Sequence, residues 1–131
     1  MLIKLGNIEN MVTVLQSVMK KKLPVKLSYA VSKNVKTLTS ECENLYEQRI
    51  KILNDSSSKD DKGNPVIKDN QYVFNSDDEK SGAIKAITEL LNTEVDVEIM
   101  NISMNDVEKC DEAKYDALTG IELDEVMKMV K

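Results

Sequence analysis

The sequence predicts an α+β protein, mostly helical. It describes an antiparallel helical bundle around one long coiled-coil-like helix, with a small β-sheet or hairpin at one end. Three observations predict this. Val31, Val35, Leu38, Cys42, Leu45, Arg49 and Ile52 step by 4, 3, 4, 3, 4 and 3, and six of the seven are apolar. Such a heptad seam keeps one face of one helix in contact with neighbours for three repeats. "LIKL" (2–5) and "EVDVEI" (94–99) are short and apolar or alternating, the pattern of strands. Finally, 131 residues with 41% hydrophobic and 31% charged content suit a single folded domain, residues 1–131.

Taken in order, "LIKL" reads as a brief strand ending at Gly6. Asn7 is placed to cap a helix over 7–21, with Ile8, Met11, Leu15 and Val18 on one face. Pro24 stops that helix and opens the next, over 25–53, because proline fits a first turn but not a helix interior. Arg49 interrupts the heptad seam, so it is expected to meet a carboxylate at the bundle end or to reach water. Residues 54–65 are polar and rich in turn formers, hence a loop. "PVIKDNQYVF" (65–74) alternates around Asp69-Asn70, which suits a two-residue hairpin turn. A helix follows over 77–92, capped by Ser76, with Ile84, Ile87 and Leu91 as its apolar stripe. "EVDVEI" is expected to pair with "LIKL", and its parity shift at Met100 marks the strand's end or a bulge. Short helices over 104–109, 112–118 and 124–130, punctuated by Gly120, complete the chain.

The net charge is −5 and the charges are unevenly spread. Residues 1–53 carry nine Lys or Arg against four Asp or Glu, whereas residues 54–131 carry nine against nineteen. Either the halves complement each other in the fold or one of them presents a binding face. No apolar run approaches the roughly 20 residues of a membrane span, and residues 1–12 lack the pattern of a signal peptide. An intracellular setting is therefore expected, with Cys42 and Cys110 as two buried thiols.

"KKKLPVKLSYAVSKNVKTL" (20–38) holds six lysines and one tyrosine. At 100° per residue from Lys26, the apolar seam occupies about 100° to 180°. Lys26, Tyr29, Lys33 and Lys36 fall at about 280° to 360°, opposite the seam. The bland reading is the solvated back of a helix. The sharper one is a docking surface of Lys26, Tyr29, Lys33 and Lys36 with Lys22 at its edge, because a tyrosine among lysines supplies contact area of the kind found at binding hot spots. Nucleic acid fits this face poorly, since the chain has one arginine and an acidic second half. An acidic protein surface fits it better.

No enzymatic chemistry is legible. Histidine is absent, which removes the commonest general base and metal ligand, and there is no phosphate-cradling glycine loop. "SKDDKGNPVIKD" (58–69) fails as a calcium loop, because a lysine stands at a ligand position and Asp69 where a bidentate Glu is needed, so it reads as a Gly-Asn-Pro turn. Glu94, Asp96 and Glu98 would share one face of a strand, most simply an exposed acidic face. No catalytic residue, cofactor or metal is assigned.

The order "LIKLGNIENMVTVLQSVMKKKLPVKLSYAVSKNVKTL", "NLYEQRIKIL", "DDKGNPV", "LLNTEVDVEI" resembles a group of small phage and prophage proteins of Gram-positive bacteria whose function is unknown. In that group a start strand and helix lead to a Leu-Pro-(Val/Ile)-Lys…Tyr…Lys run, a long charged helix, an Asp-Gly turn and a Glu-(Val/Ile)-Asp-(Val/Ile) strand. The resemblance covers residues 1 to about 100, and the tail "CDEAKYDALTGIELDEV" is less apolar than the group's pattern. The resemblance brings no catalytic residues. It implies a protein of infection or of a prophage in the host cytoplasm. Such a protein would either bind a host factor, including a defence factor, or join virion assembly, with a nucleic-acid accessory role as a further alternative.

Overall fold

The computed structural model describes all of residues 1–131. Its elements run β1 (Leu2–Lys4), α1 (Leu5–Met19), α2 (Val25–Ser56), β2 (Ile67–Lys68), β3 (Gln71–Tyr72), α3 (Asp77–Leu91), β4 (Glu94–Asp96), α4 (Met104–Glu108), a 3-10 turn (Lys109–Asp111) and α5 (Gly120–Met127). The fold is α+β and mostly helical, with α2 packed against both α1 and α3. The linker 20–24 joins α1 and α2 at one end. At the other, Arg49 near the end of α2 donates to Glu9 near the start of α1 at 3.2 Å, so the two helices run antiparallel. That contact is the carboxylate partner the seam's interruption called for.

The heptad seam is buried within the chain. Val31, Val35, Leu38 and Leu45 join Ile8, Met11, Leu15 and Val18 of α1 in one core of 19 buried apolar residues. The burial fades toward the end of α2, where Cys42, Arg49 and Ile52 are half-buried.

β1 and β4 pair antiparallel, with Ile3 opposite Val95, as the two apolar segments suggested. The strand is shorter than 94–99: the ladder stops at Asp96, and only Val97 N–H continues it, donating to the Met1 carbonyl at 2.9 Å. Beyond it the chain crosses to the C-terminal tail, where Ile102 bridges Val130 in parallel. The 66–73 hairpin turns at Asp69 and Asn70, both with positive φ (51° and 62°), the backbone of a type I′ turn. In the preceding loop Asp60 Oδ1 accepts from the Lys62 and Asn64 amides at 2.9 Å, a self-contained turn around Gly63.

Several boundaries differ from the sequence reading, each for a tertiary reason. α1 starts at Leu5, and Asn7 is no cap: the Leu5 amide donates to the Thr93 carbonyl at 3.0 Å, so pairing to the neighbouring strand's approach replaces a side-chain cap. α1 ends at Met19, not 21, because the linker's polar groups turn to the C-terminal segment. Lys22 N–H donates to Asp116 Oδ2 at 2.7 Å and Asp116 N–H to the Lys22 carbonyl at 2.9 Å. The same clasp holds 112–118 in turns and extended chain where a helix was expected. Pro24 is the N-cap of α2 rather than its first residue, and α2 runs on to Ser56. α3 does carry its Ser76 cap, which accepts from Glu79 N–H. Ile87 and Leu91 are half-buried as expected, but Ile84 is not. Ala83 is buried and Ile84 is 56% exposed, because the small Ala83 lets the helix approach its neighbour closely. The last helix starts at Gly120, behind a Thr119–Glu122 capping box, instead of at 124.

Candidate functional site

Two fixed points position the face around Tyr29. The first is Pro24, which sets the entry into α2. Its carbonyl accepts the Ser28 amide at 2.9 Å, so Val25, Lys26 and Tyr29 lie on the first turns of a rigid helix. The second is Asn34, fully buried in mid-helix. Its Oδ1 accepts the Met100 amide at 2.8 Å, and its Nδ2 donates to the Met100 carbonyl at 3.0 Å and lies 3.3 Å from Met129 Sδ. A side-chain amide thereby takes the place of a strand partner for Met100 and holds residues 100–106 alongside the start of α2.

Between these walls lies a cleft of about 410 Å³, floored by Leu27, Ala30 and Ile102 and edged by Val25, Tyr29 and Met100. Tyr29 is 61% exposed and Val25 84% exposed, and Met104 stands exposed nearby on α4. The 66–73 hairpin does not shield the tyrosine. It packs at the far end of α2, where Tyr72 Oη donates to Asn54 Oδ1 at 2.9 Å. Asp106 also reaches the cleft, but it is buried and Lys109 lies 3.7 Å from its carboxylate.

Lys22, Lys26, Lys33 and Lys36 are all exposed, and none has a carboxylate within ion-pair distance. Lys33 and Lys36 follow Tyr29 by one and two helical turns on the same side. Of the run Lys20–Lys22, only Lys21 has a structural ion pair, and sequence reasoning did not separate it from its neighbours. Its Nζ sits 2.8 Å from Glu122 Oε1 and donates to the Ala117 carbonyl at 2.8 Å. Burial by itself would raise the Glu122 pKa. Hydrogen bonds from Lys21, Thr119 and Ser17 outweigh burial and hold the carboxyl at about 2. Lys21 in the linker and Ser17 of α1, which donates to Glu122 Oε2 at 2.8 Å, together tie this end of α1 to α5.

The acidic residues do not converge. Glu94 and Asp96 lie on β4, Glu98 lies beyond it, and all three are exposed. Asp96 is already engaged by the Met1 ammonium at 2.8 Å. No group of acidic and cysteine side chains is arranged to hold a metal ion. Cys42 is half-buried rather than buried, Cys110 is buried, and both are free thiols. Burial first, and then Glu9, push the Cys42 thiol above its ordinary pKa; burial and then Asp111 do the same at Cys110. Neither is therefore poised as a nucleophile. No helix is long and apolar enough to cross a membrane.

No family model, curated protein or solved structure matches the chain.

Proposed function

We propose that this protein acts without chemistry of its own, by binding an acidic surface of another protein through the face of α2 around Tyr29. The observation that carries the reading is Tyr29 itself, 61% exposed beside an apolar cleft and flanked by Lys22, Lys26, Lys33 and Lys36, none in an ion pair. An exposed ring supplies contact area at low entropic cost, and unpaired lysines steer an acidic partner and set its register. The sequence resemblance suggests the setting: a phage or prophage protein in the cytoplasm of a Gram-positive host, binding and inhibiting a host factor, with host defence as one target class.

The test is affinity capture from host lysates, infected and uninfected, with wild-type protein and a Tyr29→Ala, Lys33→Glu variant. A stoichiometric host protein captured from both lysates by wild type and lost with the variant supports the proposal. Equal capture by the variant refutes the site. A phage-encoded partner, seen only after infection, would instead assign the face to virion assembly. A gel shift at low salt that disappears in the same variant would assign it to nucleic acid.

A further inference from the structure

The lysines and the cleft are separate features that share one edge, Lys26 and Tyr29. Lysines alone would suit any acidic surface. The cleft asks for something more particular. Its floor is apolar, its volume of about 410 Å³ accommodates a large aliphatic or aromatic side chain, and Val25, Tyr29 and Met100 leave apolar surface exposed around its mouth. Val25 is 84% exposed at the first position of a helix whose Leu27, Ala30, Val31, Val35, Leu38 and Leu45 supply the core. Met100 edges the opening, where its flexible thioether can adapt to a guest side chain, and Met104 follows the lining residue Ser103 by one position. Both walls are rigid at the backbone, one through the start of α2 and the other through the Asn34 clamp on Met100.

We propose that this cleft seats one apolar side chain presented by an acidic segment of the partner protein, while Lys22, Lys26, Lys33 and Lys36 engage the carboxylates around it. The inference rests on the reading of the lysine face as a protein-docking surface and adds the chemistry of its ligand: an acidic segment with an apolar anchor. Charge complementarity selects the class. None of the four lysine ammonium groups is in an ion pair; of the two carboxylates nearby, Asp106 is met by Lys109, and Asp116 accepts the Lys22 backbone amide at 2.7 Å. The two contributions differ in kind. The lysines act over several ångströms and weaken with salt, whereas the anchor acts only by filling the cleft.

The experiment uses the full chain with ¹³C-labelled methionine methyls, seven in all, of which Met100 and Met104 report on the cleft and the other five serve as references. The probes are a glutamate-rich peptide carrying a single central leucine and its leucine-to-serine counterpart. The expected result is saturable shifts at Met100 and Met104 with the leucine peptide and affinity about tenfold lower, without those shifts, for the serine peptide. Val25→Asp, at a position exposed enough to leave the fold intact, abolishes the preference for leucine. Lys33→Glu with Lys36→Glu weakens both peptides alike. Equal affinity for the two peptides with neither methyl shifted would overturn the cleft inference, and if the lysine variant still weakened both, the docking face would stand without it. Leucine preference that ignores the lysine variant would instead leave the cleft and remove the electrostatic face. Binding of neither peptide would overturn both. Shifts at Met100 and Met104 that follow protein concentration alone, with a dimer in light scattering, would make a second copy the occupant and also overturn the inference.

Discussion

Asn34 is where a single side chain decides the most. It lies on the flank of the heptad seam, where a sequence reading assigns it nothing, yet it satisfies both backbone groups of Met100. Asn34→Ala leaves the part-buried Met100 amide and carbonyl without their partner and is expected to cost about 1–2 kcal/mol in denaturant unfolding. Hydrogen exchange should rise selectively at the Met100 amide. Unchanged exchange there would show that other contacts hold the segment. The signal available in the sequence was an asparagine amid apolar positions of a helix, which names a buried polar group but not its partner. Glycines give a matched pair of outcomes at the same scale. At Gly82 an added Cβ meets nothing within 4 Å, so Gly82→Ala should stabilise by about 0.5–1 kcal/mol through helix propensity. At Gly6 the same atom comes to 3.1 Å from the Leu91 carbonyl oxygen, so Gly6→Ala should lose that gain. Thermal melts of the two variants side by side decide it.

Among elements, the clasp between α1 and α5 carries the clearest pH dependence. Glu122 titrates at about 2 in the fold, against an ordinary 4.5. Its folded-state pKa is depressed, so its stabilisation is fully present above about 4.5 and is lost as pH falls toward about 2. The lost contribution is about 3 kcal/mol at most. Wild type minus Glu122→Gln, followed by denaturant unfolding from pH 6 down to about 2, should therefore shrink as the solution is acidified. A difference independent of pH would mean that the carboxylate's charge contributes nothing. The clasp also explains why the tail was the least legible part of the chain. Its helix boundaries depend on Asp116 meeting the 20–24 linker and on Thr119 and Glu122 closing a capping box at Gly120. The long helix was legible because its seam repeats over three heptads, and the Asp69-Asn70 turn because its residue types tolerate positive φ. In the stripe of α3, Ile87 and Leu91 do face inward, but Ala83 takes the place given to Ile84, since a hydrophobic count gives alanine little weight.

For the whole molecule, the charge asymmetry is mostly left outside the fold. Of the lysine side chains in the first half, only that of Lys21 meets a carboxylate of the second, Glu122. Capture of an acidic partner should accordingly weaken as salt rises from low to physiological ionic strength, where screening shortens to about 8 Å. Salt-independent capture would mean that the lysines are bystanders. Because the seam is covered by α1 within one chain, light scattering of the isolated protein should give a monomer, and a stable multimer would point to another surface. The sequence by itself determined the class of fold, the long helix, the pairing of the first strand with the fourth, the hairpin turn and the lysine–tyrosine face. The helix, the turn and the face are written in local periodicity or in the preferences of adjacent residues, and the strand pairing follows from there being two matching apolar segments, Ile3 opposite Val95. Only the tertiary structure decided that Lys21 is structural while Lys22 and Lys26 are free, that Asn34 holds Met100, and that a cleft opens beside Tyr29. Those facts join residues as far apart as Asn34 and Met100 or Lys21 and Glu122, and the burial and hydrogen bonding that fix them exist only once the chain has closed on itself.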